Sequence, residues 1–298
     1  MEEFKFIYDD VTFSGITWKP ESFDQVVVIV HGIGEHVGRY AYVAEYLNAA
    51  GYLVTGIDHY GHGASDGLRG ASKGYEFTFD YLEAFLKQVL TERKKPVILY
   101  GHSMGGGIVT GFILKRRPAI KGAIISSPAL LVPGVPPVLQ FVLKILNALV
   151  PNLRIKQGLD INKLTHSKDV IEAFKQDPLN HEMMSIRLAY EMIANGRWCI
   201  GNADRLKIPA LLIHGSEDAF TSVKGSRAFA KKAPGNLLLY KEWAGGYHEL
   251  HNEPGKDEVL YFILKWLKSL LSYTTVSQVY NLKKQRPAFF KAGRSIRI

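Results

Sequence analysis

The chain has 298 residues, 47% hydrophobic and 22% charged, a balance that excludes a disordered, fibrous or low-complexity polypeptide and suffices for a large core. Thirty-seven Lys and Arg against 28 Asp and Glu give a formal charge of +9, which alone is compatible with nucleic acid, a membrane surface or no particular partner. The one cysteine, Cys199, cannot form an intramolecular disulfide, and Met1-Glu2-Glu3-Phe4-Lys5 offers neither the basic flank nor the apolar stretch of a signal peptide, so a reducing, cytoplasmic setting is expected.

In chain order, residues 4–8 and 12–18 flank Asp9-Asp10 and predict an antiparallel edge hairpin. Short apolar runs rich in β-branched residues at 25–30, 52–57, 96–100, 121–126, 209–214 and 236–241 read as buried strands. Helical spacing occupies 40–50, 78–91, 104–116, 222–232 and 256–271. This alternation predicts a mostly parallel sheet flanked by helices. It stops between residues 126 and 209, where some eighty residues of helical character, far longer than an ordinary connection, predict an inserted helical cap. Within the cap, Val138 to Val150 is apolar almost all round its helical wheel, which means burial or presentation to lipid. Pro133, Pro136 and Pro137 keep that run below spanning length, and no transmembrane segment is expected.

The expected organisation is therefore a core of residues 1–128 and 203–274, a cap of 129–202 and a tail of 275–298. Lys283, Lys284, Arg286, Lys291, Arg294 and Arg297 give the tail six basic residues and no acid, leaving +3 for the rest. With Phe289 and Phe290 among them, these residues suit an anionic membrane surface, and a solvated tail is the alternative. Nucleic-acid binding is not expected, because the body carries no basic recognition element.

The strongest local motif is Gly101-His102-Ser103-Met104-Gly105, directly after a strand and before a helix. A serine on so sharp a turn presents its hydroxyl above the sheet edge, with the helix N-terminus behind it. Its weak nucleophilicity requires a base, itself oriented by a carboxylate. The strand at 209–214 runs into Gly215-Ser216-Glu217-Asp218, and the strand at 236–241 leads through Gly245 and Gly246 to His248. The order Ser103, Asp218, His248, each after a strand, makes these the candidate nucleophile, acid and base. Oxyanion donors are expected from the backbone amides of Met104 and of Ile33, in the glycine-bearing loop His31-Gly32-Ile33-Gly34-Glu35-His36.

That loop also supports a rival. Gly32, Gly34 and Gly38 follow a strand, and Asp58 ends the next one, which mimics a dinucleotide fingerprint, although the spacing differs and Ser103 is left unexplained. A metal is not expected, since His248 and His251 are three apart rather than four. No cofactor is expected either.

Taken together, several motifs resemble the monoacylglycerol lipase and lysophospholipase-like branch of the α/β-hydrolases, grouped with serine aminopeptidase-like enzymes. They are His31 to His36 with Arg39-Tyr40; Asp58-His59-Tyr60-Gly61-His62-Gly63 with Ser65-Asp66-Gly67; the turn at Ser103; Ser126-Ser127-Pro128-Ala129; Asp177-Pro178-Leu179; His214-Gly215 to Asp218; and Tyr247-His248-Glu249-Leu250-His251-Asn252-Glu253. The resemblance implies an α/β-hydrolase fold with a helical cap forming an acyl tunnel, and a triad of Ser103, Asp218 and His248. It also implies that Glu35, Arg39 and His251 hold the glycerol hydroxyls. The expected activity is hydrolysis of a lipid monoester, most simply a monoacylglycerol, through an acyl-enzyme on Ser103. A lysophospholipase, a shorter-chain carboxylesterase and a catalytically inactive binding scaffold are the alternatives. A small lipid is the expected partner, with peripheral membrane contact through cap and tail, and the oligomeric state is left open.

Overall fold

The computed structural model describes residues 1–271. In chain order its elements are β1 (Glu2–Tyr8), β2 (Val11–Trp18), β3 (Gln25–Val30), α1 (Ala41–Ala49), β4 (Tyr52–Ile57), α2 (Tyr75–Arg93), β5 (Val97–His102), α3 (Met104–Lys115) and β6 (Gly122–Ser126). There follow α4 (Pro137–Leu149), β7 (Arg154–Lys156), α5 (Lys168–Gln176), β8 (Met183–Ser185), α6 (Ile186–Gly201), β9 (Ala210–Gly215), α7 (Val223–Lys232), β10 (Leu238–Trp243) and α8 (Lys256–Leu271). The basic tail lies outside the described residues.

Eight strands form one sheet in the order β1-β2-β4-β3-β5-β6-β9-β10, parallel from β4 to β10. In the edge hairpin β1-β2 only β2 runs antiparallel to its neighbours β1 and β4, and both turn residues, Asp9 and Asp10, take positive φ, the two-residue turn whose twist suits a hairpin.

Why the buried strands read as unbroken apolar runs is visible in β3. Val26, Val28 and Val30 face one core, with Phe79 and Phe85 of α2 and Ile108 and Phe112 of α3. Val27 and Ile29 face the other, with Leu47 of α1 and Leu260 and Ile263 of α8. Helices cover both faces, so successive side chains are buried alike. Each such valine contributes about 1.5 kcal/mol or more by leaving water.

The chain makes β3, crosses to β4 on one side and returns to β5 on the other, so β3 pairs with both. In parallel sheets a crevice opens at the carboxyl ends where the winding reverses. The residues after β3 and β5 are His31 to His36 and Ser103, which is where the site forms.

This is the α/β-hydrolase fold, and it differs from expectation in details with physical causes. Strands β5, β9 and β10 each run two residues or one past the apolar segments, because His102 and Trp243 find ladder partners in Ser126 and Gly215. Residues between β6 and β9 are not wholly helical: β7 and β8 pair antiparallel, Arg154 opposite Ser185. Strands of three residues are too short for a period to register. Helix α4 takes neither extreme of its two readings. Leu143 is buried against α6, whereas Val138, Phe141 and Leu149 are 64–72% exposed. Among the described residues, no helix is long and apolar enough to cross a membrane.

Candidate active site

The turn at Ser103 is held by crowding. Ser103 has φ 55° and ψ −118°, a conformation costly for a side-chain-bearing residue. Its N–H donates to Ser126 O (3.0 Å) and its carbonyl accepts from Gly107 N (3.0 Å) and Ala129 N (2.9 Å). A Cβ on Gly105 would lie 1.9 Å from Val30 O, and one on Gly101 would lie 2.5 Å from Gly105 O. Strand and helix therefore cross only because both positions are glycine. Met104 is the first residue of α3, so its N–H has no intrahelical acceptor.

Beyond β9 and β10, Asp218 and His248 meet: His248 Nδ1 lies 2.7 Å from Asp218 Oδ2, both side chains being almost wholly buried. Oδ1 accepts from the N–H groups of Phe220 (2.7 Å) and Thr221 (3.0 Å). Burial would raise the Asp218 pKa, but the charge of His248 and hydrogen bonds from His214 and His248 hold it well below the usual carboxylate range. For His248 burial works downward, and the Asp218 carboxylate, by charge and by hydrogen bond, outweighs it and raises the imidazole above its ordinary value. Phe220 stacks on the His248 ring at 4.9 Å. Glu217, next to Asp218, is exposed.

Ser103 and His248 line one cavity of about 360 Å³, in the range of small-ligand sites. Gly32, Ile33, Glu35 and Arg39 line it from the loop after β3. A Cβ on Gly32 would stand 3.2 Å from that of Ser103, which shows how closely this loop approaches the serine. Several groups anchor it. The His59 N–H donates to His31 Nε2 (2.8 Å), so the His31 proton sits on Nδ1 and is donated to Gly32 O (2.7 Å). Burial, and then the neighbouring His62, push His31 well below its ordinary pKa, consistent with that neutral ring. Asp58 accepts from Val37 N and Ala64 N, tying this loop to the next. From the inserted segment, His181 N donates to Gly34 O (2.9 Å) and Asp177 Oδ2 lies 2.7 Å from His36 Nε2.

Glu35 and Arg39 pair at 2.7 Å, and the same guanidinium forks onto Glu249 at 2.7 and 2.8 Å. Arg39 also lies 4.7 Å over the Phe174 ring. Glu35 Oε1 accepts from Gly32 N (2.5 Å) and Tyr40 OH (2.8 Å). A carboxylate thus occupies the loop amide that a pyrophosphate would need, which removes the dinucleotide reading. Burial raises Glu35, although Arg39 opposes it. Glu249 is lowered, because two bonds from Arg39 outweigh the cost of its burial.

His251 is not brought to the cavity wall. It is fully buried and stacked on Tyr40 at 5.0 Å, and burial lowers its pKa to about 4. The short helix Leu250–Asn252 turns its ring inward, while Glu249 takes the place beside Arg39. Sequence reasoning missed Glu249, whose partner is 210 residues away, and His214, whose Nε2 lies 3.1 Å from Asp218 Oδ2. Their only signal was a place inside the motifs around His248 and Asp218, with no role attached.

The far walls are apolar, with Val135, Leu139, Leu143, Ile155, Leu159 and Met184 from the inserted segment. A strained serine, an imidazole carrying a buried carboxylate, nearby amides and an apolar chamber suit nucleophilic attack on the carbonyl of a lipophilic ester.

A family model described as Hydrolase_4, serine aminopeptidase, S33, matches residues 21–255. A monoacylglycerol lipase of Mycolicibacterium smegmatis is 34% identical over 85% of this chain and 92% of its own. Phospholipase YtpA of Bacillus subtilis is 32% identical over 82% of this chain and 95% of its own. An uncharacterized abhydrolase domain-containing protein of Dictyostelium discoideum is 32% identical over 94% of this chain, which spans 29% of that longer protein. The crystal structure of a monoacylglycerol lipase from Paleococcus ferrophilus, 32% identical, superposes with a TM-score of 0.80 over 87% of this chain and 99% of that one.

Proposed function

The chain belongs to the Hydrolase_4 family of serine hydrolases, and from that membership and the site we propose that it hydrolyses monoacylglycerols to fatty acid and glycerol. In this reading Ser103 Oγ attacks the ester carbonyl while His248 takes its proton, and Asp218 orients and stabilises the imidazolium. The amides of Ile33 and Met104 hold the oxyanion, each such donor being worth about 10²-fold or more. His248 returns the proton to the departing glycerol oxygen, then activates water against the acyl-enzyme. Residues 129–202 act as the cap over the acyl chain.

The committed charge of Arg39 carries the choice of substrate. It is the one Lys or Arg among the cavity's described wall residues, and it is already taken by Glu35 and Glu249, while Glu182 adds a third acid. A phosphate headgroup would meet carboxylates and no free cation, whereas neutral hydroxyls can share those acceptors. Glu35, Arg39 and Glu249 form the headgroup end in this reading, without His251. The 32% identity to a phospholipase keeps lysophospholipid as the second reading. Exposed Val138, Phe141 and Leu149 support a further element, that the cap rests on a lipid surface.

One panel tests the reading: monoacylglycerols of graded length, a diacylglycerol, lysophosphatidylcholine and a short aryl ester. The highest kcat/KM is expected on a monoacylglycerol, and preference for the phospholipid would replace it with the second reading. A fluorophosphonate probe should label the wild type and not Ser103→Ala. Absence of labelling in the wild type sinks the enzyme assignment.

A further inference from the structure

His214, the penultimate residue of β9, is wholly buried and has no part in the reaction as described. Its ring is nevertheless enclosed by the group that orients the base. Nε2 lies 3.1 Å from Thr221 O and 3.1 Å from Asp218 Oδ2. Both oxygens can only accept, and the Thr221 hydroxyl, 3.3 Å away, has its single proton directed to Asp218 Oδ2 or Ser127 O, so Nε2 carries a proton. Nδ1 lies 2.7 Å from Ser226 Oγ, a buried hydroxyl on α7 that holds the ring's orientation. Thr221 in turn bears on the carboxylate twice: its N–H donates to Oδ1 at 3.0 Å, and its hydroxyl lies 2.8 Å from Oδ2. The same Oδ2 receives His248 Nδ1 at 2.7 Å. One carboxylate oxygen is therefore shared by two imidazoles.

We propose that His214 is a positioning residue for the Asp218 and His248 pair: its Nε2–H anchors the Thr221 turn and faces Asp218 Oδ2, leaving the carboxylate aimed at His248 Nδ1. The inference rests on the triad reading above. A carboxylate bound on several sides cannot rotate away from its histidine, and losing about 1 Å of alignment in such a site costs on the order of 10²-fold in rate. The N–H facing Oδ2 also offsets part of its charge, which moderates how firmly His248 holds a proton. His102, Glu249, Glu35 and His251 surround His248 too, and they are unchanged by substitutions at position 214.

The test compares His214→Phe with His214→Gln in the full chain, following hydrolysis of a soluble short-chain monoacylglycerol from pH 5 to 9. Phe fills the space without an N–H; Gln restores an N–H but fills the space less well. Expected for Phe is a kcat lowered about tenfold with KM nearly unchanged, and an acid limb of kcat/KM moved to higher pH. Gln should recover much of both. A residue that merely packs gives the opposite order, with Phe nearer wild type than Gln and the limb unmoved, and that result overturns the proposal.

Should His214→Phe fail to fold, judged by its unfolding midpoint, Ser226→Ala carries the test by removing only the partner of Nδ1. A smaller loss of kcat with the same direction of pH shift supports the proposal, and a wild-type profile overturns it. Fluorophosphonate labelling separates the two layers. If the wild type neither labels nor turns over, the triad reading fails and this inference falls with it; if the wild type labels and the variants match it, only the role of His214 fails.

Discussion

The floor of the cavity and its roof are built on opposite terms. On the floor, the crossing at Gly101 and Gly105 has no room for a methyl group, Asp218 is engaged on both carboxylate oxygens, and Glu35 and Glu249 share one guanidinium. On the roof, α4 buries Leu143 and leaves Phe141 and Leu149 in the open. The difference follows from what each part must do. Attack on a carbonyl needs atoms held in a narrow geometry. An acyl chain needs only an apolar surface of roughly its own shape.

Substitutions should separate the two regions, most sharply at Ser103, the proposed nucleophile. Ser103→Ala is expected to lower kcat about 10⁶-fold, measured by hydrolysis of a monoacylglycerol, because residues acting as a unit fail together. Asp218→Asn should cost about 10⁴-fold by favouring the wrong tautomer of His248, and a loss below tenfold would remove Asp218 from the floor.

Next in size comes backbone crowding. Gly105→Ala must move Val30 O, 1.9 Å from the added methyl, and about 3 kcal/mol of destabilisation is expected in urea unfolding. Near-wild-type stability would mean that the elbow is as adaptable as the roof.

The pH profile tests the floor without altering it. His248 is raised, so it keeps its proton to a higher pH than a free imidazole and is lost as a base when the pH falls through that raised value. The acid limb of kcat/KM should therefore lie above pH 6.5, and a limb near pH 5 would show that Asp218 does not prevail over burial.

The smallest effect belongs to the roof. Phe141→Ser should change stability by no more than about 0.5 kcal/mol. Turnover of dissolved substrate should persist while turnover of vesicle-borne substrate falls. Equal loss on both would make Phe141 a support of the chamber rather than a contact with lipid.

Much of this division was legible before folding. Runs such as Val26 to Val30 are apolar at every position, and only a sheet covered on both faces buries them. Gly101, Ser103 and Gly105 stand between a strand pattern and a helix pattern, the context of a strand-to-helix elbow, and Asp218 and His248 each follow a strand. The pairing of β7 with β8, the half-open setting of α4 and the exchange of Glu249 for His251 were not legible, because each depends on a segment far away in the chain.

The amino-acid order by itself determined the layered sheet, the elbow and the placing of Asp218 and His248 behind successive strands, because those features rest on local periodicity and on backbone conformations that particular residues permit. Only the tertiary structure decided which charges are spent on each other. Arg39 meets Glu249 across 210 positions, and Asp218 carries His214 as well as His248. Such buried polar groups take partners wherever the packed fold brings them within about 3 Å, a condition that spacing along a chain does not encode.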